Sequence, residues 1–118
     1  MSLTAYSAEY LLKMIRDDCW ISLHFDNPDL AGGQASEITG GGYSRLKASF
    51  GEISNRTMWL DDTLKFEGLR QTKITYIGGW TDKRGGNSLF FSELANPGRI
   101  SDGGLWKLEE KKLVISIA

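Results

Sequence analysis

The sequence contains one cysteine, Cys19, and one histidine, His24. A lone thiol closes no internal disulfide, so the fold does not depend on an oxidising compartment. A lone imidazole cannot build a zinc site, which takes several N or S ligands. No apolar stretch approaches the roughly 20 residues that span a bilayer as a helix. Residues Met1 to Tyr6 carry neither a basic segment nor an apolar run, so no signal peptide is expected and synthesis in a cytoplasm is. The formal net charge is −1, with both signs interspersed. A nucleic-acid binder shows a basic stripe, and none is written here. The glycines form no Gly-x-Gly-x-x-Gly or Walker pattern, so a phosphate cradle has no motif to stand on.

What the chain has is glycine in five clusters, at Gly32-Gly33, Gly40-Gly41-Gly42, Gly78-Gly79, Gly85-Gly86 and Gly103-Gly104. Short segments of alternating apolar and polar residues lie between them, the pattern of strands separated by turns. At 118 residues with 41% hydrophobic residues, the chain is one domain able to bury its own core. An amphipathic helix is expected over Ser7 to Arg16, capped by Ser7 and Glu9, with Tyr6, Tyr10, Met14, Leu11 and Ile15 resting on the sheets. Eight strands are expected at Cys19–Phe25, Tyr43–Phe50, Asn55–Leu60, Thr63–Phe66, Lys73–Thr81, Ser88–Leu94, Gly104–Glu109 and Lys112–Ile117. Hairpins are expected at Thr81 to Asn87 and at Glu109 to Lys112, and Gly78-Gly79 reads as a bulge or a close backbone approach. Residues 26–42 form a long loop opened by the turn Asp26-Asn27-Pro28-Asp29. The expected architecture is mainly β, an antiparallel sandwich of jelly-roll type, with residues 1–18 as a helix packed on a sandwich of residues 19–118.

Candidate chemistry is sparse. Cys19 and His24 lie five apart in one strand, so they face opposite sides and cannot form a dyad. That parity puts Cys19, Ile21, Leu23 and Phe25 inside, and His24 outside with Trp20 and Ser22. Asp26, Asn27 and Asp29 lack the ligand spacing of a calcium loop. Asp61-Asp62 and Glu109-Glu110 diverge along extended backbone, whereas a glycosidase pair converges across a cleft. Asn55-Arg56-Thr57 fits a glycosylation sequon with no secretory signal to use it. No catalytic residue, metal site or cofactor is expected. The four tryptophans say more. Strand parity places Trp80 in the core, Trp20 outward or under the helix and Trp59 outward, and leaves Trp106 open. Outward aromatics anchor partner proteins or stack on sugar rings.

Several segments recur in an order shared with known proteins. They are Leu11-Leu12, then Trp20-Ile21-Ser22-Leu23-His24 ahead of Asp26-Asn27-Pro28, and Glu37-Ile38-Thr39-Gly40-Gly41-Gly42-Tyr43-Ser44-Arg45, the most specific. Ile53-Ser54-Asn55 follows, then Ile74-Thr75-Tyr76-Ile77-Gly78, Trp80-Thr81-Asp82, and Gly85-Gly86-Asn87-Ser88-Leu89-Phe90-Phe91. In this the chain resembles small bacteriophage virion proteins of the tail-fibre-like or minor tail kind, from about Leu11 to the carboxyl end. The resemblance implies a non-enzymatic β-sandwich that assembles on the virion, at the tail or on the capsid surface, and it transfers no catalytic residues. The expected partners are other virion proteins and copies of the chain itself, with neither nucleic acid nor membrane. Assembly contacts are expected at Trp20, His24, Trp59, Trp106, Asp26 and Asn27. The competing reading is a carbohydrate-binding module in which Trp20, Trp59 or Trp106 stacks on a surface glycan.

Overall fold

The computed structural model describes residues 2–28 and 35–117. Helix α1 runs over Ala5–Asp17. Its cap is Thr4 and not Ser7: Thr4 is extended, and its Oγ1 accepts the Ser7 N–H at 3.2 Å. Ser7 is already helical, so its N–H is one of the donors a cap must satisfy. Tyr6, Tyr10 and Met14 turn away from the sheets, against the sequence expectation, while Ile15 meets it. Ala8 and Leu12 are fully buried and Ile15 packs on the core. Tyr6, Tyr10 and Met14 face solvent, at 78%, 61% and 51% exposure. Small Ala8 lets the helix approach closely, and the tyrosines keep their hydroxyls in water on the far side.

The fold is mainly β and antiparallel. Strands are β1 (Trp20–His24), β2 (Leu46–Lys47), β3 (Thr57–Trp59), β4 (Leu64–Leu69), β5 (Thr72–Trp80), β6 (Ser88–Ile100), β7 (Gly104–Leu108) and β8 (Val114–Ser116). They form one four-stranded sheet, β2-β1-β5-β6, and two ribbons, β3-β8 and β4-β7. The hairpin over Thr81 to Asn87 joins β5 to β6, closed by Thr81 N–H to Asn87 O at 3.0 Å. The turn at Glu109 to Lys112 also forms, with Lys112 N–H on Glu109 O at 3.1 Å. The strands it joins, however, do not pair with each other: β7 pairs with β4 and β8 with β3. Leu60 explains the divergence. Its carbonyl takes the Lys111 N–H and its N–H reaches the Leu113 carbonyl, drawing the chain after the turn onto β3.

One apolar cluster joins all three sheets and the helix. It holds Leu12, Cys19, Ile21, Leu23, Met58, Leu60, Phe66, Leu69, Ile74 and Ile77, among others. Cys19 is buried there as expected, and burial, with a smaller contribution from Asp18, pushes its thiol up to about 12. Phe25 departs from the expected face and is half-exposed. β1 ends at His24, so alternation no longer governs the next residue. Gly78-Gly79 does mark both a close approach and an irregular register, since the β5/β6 pairing shifts between Gly79 and Trp80. A second shift is larger: Ile74 is opposite Gly98 while Tyr76 is opposite Glu93, so β6 accommodates extra residues around Leu94 to Pro97. β6 closes the sheet as an edge strand.

Candidate functional site: a buried polar layer and the surfaces around it

β1 is covered on both faces, and its second face is polar. Residues directly opposite in an antiparallel pair point the same way. The pairs Trp20/Trp80, Ser22/Gly78 and His24/Tyr76 therefore share one side of the sheet. The free edge of β1 is covered twice. Glu37 bridges His24, with Phe25 N–H on Ser36 O and Ile38 N–H on Leu23 O, both at 3.0 Å. Further back, Leu46 and Lys47 pair with Ile21 and Trp20. The intervening residues leave the sheet as a loop through the glycine triplet, which brings the loop's two ends, Glu37 and Arg45, side by side.

Arg45 is 3% exposed and organises this layer. Its Nε and Nη2 grip the Glu37 carboxylate in a bidentate pair at 2.9 and 2.8 Å. Its Nη1 donates to the carbonyls of Asp82 and Gly85 at 3.0 and 2.8 Å, tying down the β5–β6 hairpin tip. The guanidinium lies 4.1 Å from the centre of the Trp80 ring, in cation–π contact. Tyr43 donates its hydroxyl to Glu37 and accepts the Leu23 N–H at 3.2 Å. Burial, then its hydrogen bond to Glu37 and the charge of that carboxylate, raises the Tyr43 phenol well above its ordinary value. Gly41, with φ of +56°, holds the loop against β4, where an added Cβ would lie 2.6 Å from the Gly68 carbonyl.

A second chain of bonds runs through His24, which is fully buried; the outward position expected for it is corrected. Strand parity correctly placed it opposite Ile21 and Leu23, but that face is roofed by residues 36–45 and the hairpin tip. Trp80 Nε1 donates to Ser22 Oγ at 2.7 Å. Ser22 Oγ is 2.7 Å from His24 Nε2, and His24 Nδ1 is 3.0 Å from Ser36 Oγ. An indole N–H only donates. Ser22 therefore accepts there, and its second lone pair and its own hydrogen let it serve either tautomer of His24 at Nε2, with Ser36 taking the complementary role at Nδ1. The lowered pKa keeps the imidazole neutral near pH 7. Burial lowers its pKa, and Arg45 also lowers it while Glu37 opposes both. Every buried side-chain N and O among the described residues has a partner.

The other residues expected at contacts are scattered, one tryptophan on each of the three sheets and Asp26 and Asn27 beyond the end of β1. Trp20 is half-buried beside Trp80. Asp26 and Asn27 are exposed, with Asn27 N–H on Asp26 Oδ1 at 2.8 Å; Asp29, Gly32 and Gly33 lie outside the described residues. Trp59 is 50% exposed on β3, as expected. Trp106 is half-buried on β7, its ring 6.1 Å from that of Phe66. Sequence reasoning missed Glu37, Tyr43 and Arg45 as a structural hub. The available signal was an acid and an arginine bracketing a glycine turn, with Tyr43 two residues before the base. Among the clefts on the described surface, two bear on these residues. One of about 370 Å³ lies between the Glu37–Arg45 loop and Lys83, Arg84 and Gly85. The other, of about 400 Å³, lies beside Trp59.

The interior polar groups of this mainly antiparallel body bond to one another. Residues 14–116 match the family model described as podophage GP4 fiber I protein gp80, and the chain belongs to this family of phage fibre structural proteins. The match takes in the Glu37–Arg45 segment and every strand. No curated protein matches the chain. Among the described residues, no helix is long and apolar enough to cross a membrane.

Proposed function

We propose that the chain is a non-enzymatic, tail-associated component of a phage fibre, held in the virion by contacts with other virion proteins and with its own copies. Membership of a fibre family supports the tail over the capsid surface. The observation that carries the contact reading is the outer stripe of α1, where Tyr6, Tyr10 and Met14 stand exposed one above another along the helix. Large aromatic and thioether side chains are the types that dominate interface energies. The buried layer serves the same end by rigidity. Arg45 locks the loop, the hairpin tip and the sheet together, so that contact surfaces on different elements keep a fixed relation. The exposed corner of Phe25, Asp26 and Asn27 is a second contact surface. His24, enclosed, makes no contact of its own.

Phage carrying a Tyr6→Ser/Tyr10→Ser chain tests this. The variant is expected to melt as the parent does, because neither ring is buried, and to be depleted from purified particles. Parental occupancy would remove α1 from the interface. Absence of the parent chain itself from purified particles would remove the virion reading altogether.

A further inference from the structure

We infer that the cleft beside Trp59 is a saccharide subsite that takes a neutral hexopyranose chain. Trp59 stands on the outer face of the β3–β8 ribbon, opposite Val114, which is also exposed. On the same face Thr57 and Ser116 are paired, their hydroxyls 3.2 Å apart. The ribbon thus presents an aromatic and aliphatic patch that runs into a pair of hydroxyls. The cleft of about 400 Å³ beside the ring is lined by Gly51, Glu52, Leu60, Asp61 and Lys111. Its walls are fixed by the backbone: Gly51 N–H to Trp59 O at 3.0 Å, Asp61 N–H to Ser49 O at 2.7 Å, and Lys111 N–H to Leu60 O at 2.7 Å. Glu52, Asp61 and the Lys111 amine, all exposed, make no side-chain hydrogen bond or ion pair with the described residues.

That combination separates two classes of ligand. The lining is mostly apolar, with the charged residues Glu52, Asp61 and Lys111 around it. A protein partner closing over the ring would desolvate those three residues, and unpaired charges are costly to bury. A pyranose has what such a rim lacks: a C–H face to lie on the indole, and hydroxyls that donate to Glu52 and Asp61 and accept from Lys111. Two acids against one base disfavour an acidic sugar. The cleft volume is within the range of small-ligand sites. This inference stands on the cleft alone and is independent of how the chain attaches to the virion.

The test is a glycan array of neutral and acidic hexopyranose chains, followed by NMR titration of the isotope-labelled chain with the strongest neutral glycan. Shifts are expected at Trp59, Gly51 and Asp61. Trp59→Ala is expected to weaken binding by about tenfold or more. Gly51→Leu puts a bulky side chain into the cleft while keeping the Trp59 indole, and the backbone has room for it, since a Cβ there meets nothing within 4 Å. This second variant keeps the test decisive should Trp59→Ala fail to fold. Binding to no neutral glycan, a preference for acidic ones, or affinity unchanged in Gly51→Leu would each overturn the inference. So would loss of Trp59→Ala from particles by a chain that binds no glycan, which would make the ring a protein anchor.

Discussion

Replacing Arg45 by Met gives the sharpest reading of the buried layer. The substitution keeps much of the side chain's length and apolar stem while removing the guanidinium. It leaves the Glu37 carboxylate, whose side chain is 12% exposed, with Tyr43 as its remaining side-chain partner among the described residues. It also strips the Asp82 and Gly85 carbonyls of their shared donor and Trp80 of its cation. Removing one member of a buried pair costs about 3–5 kcal/mol, because the surviving charge stays desolvated. For a domain whose total stability is of order 5–15 kcal/mol, that is a large share, equivalent to a fall in Tm of roughly 10–20 °C. Urea unfolding followed by tryptophan fluorescence measures it. The double variant Glu37→Gln/Arg45→Met should recover part of the loss, since it leaves no orphaned charge. Lys13→Met provides the contrast: the Lys13–Glu9 pair spans 3.6 Å on the helix surface, with both side chains about half-exposed, and is worth at most about 0.5 kcal/mol. A cost for Arg45→Met as small as that of Lys13→Met would show that the buried pair behaves as a solvated one and refute the reasoning.

Three further outcomes follow from the same layer and from the core. His24 is held neutral, with its pKa below the ordinary 6.5. Above that value both folded and unfolded chains are neutral at this site; as pH falls through it, the unfolded chain takes up a proton that the folded layer, with Arg45 and Glu37 facing the ring and Ser22 and Ser36 bonded to it, resists. Stability should therefore decline below about pH 6.5, and Tm measured from pH 8 to pH 5 should fall less steeply in His24→Gln; equal slopes would contradict it. Gly78→Ala should cost about 1–3 kcal/mol, because its Cβ would sit 2.6 Å from Ser22 Oγ and 3.1 Å from His24 Nε2; unchanged urea midpoints would show that the layer has slack. Cys19, buried with its thiol raised to about 12, should react with a disulfide reagent orders of magnitude more slowly in the native state than in denaturant, and rapid native labelling would place it outside the core.

Strand alternation made most of the fold legible. It located eight strands, the Thr81–Asn87 hairpin, the inward set Cys19, Ile21 and Leu23, and the exposure of Trp59. It failed where a residue's surroundings come from elsewhere in the chain. Parity tells which side of β1 His24 is on, but a roof made of residues 36–45 and a distant hairpin tip is not encoded locally. The helix failed for a related reason. Tyr6, Tyr10 and Met14 look like a stripe to be buried, yet Ala8 and Leu12 join the expected Ile15 in a flatter one that meets the core instead. The turn at Glu109 to Lys112 was correct in itself, while the partners of the strands it joins were set by Leu60. The Glu37–Arg45 segment stood out as a family signature before its role as a clamp could be seen, because the pair forms only when the glycine loop returns its ends to neighbouring places along β1.

The irregularity in β6 matters once many copies of the chain are crowded together. A long straight strand at the rim of a sheet offers its backbone to any identical rim, and identical molecules held close would zip into a continuous ribbon. Here two steps along β5, from Ile74 to Tyr76, span five along β6, from Gly98 to Glu93, and Pro97 within that kink has no N–H to offer. Two such rims could not match over their full length, so the kink works against β6-to-β6 pairing between copies.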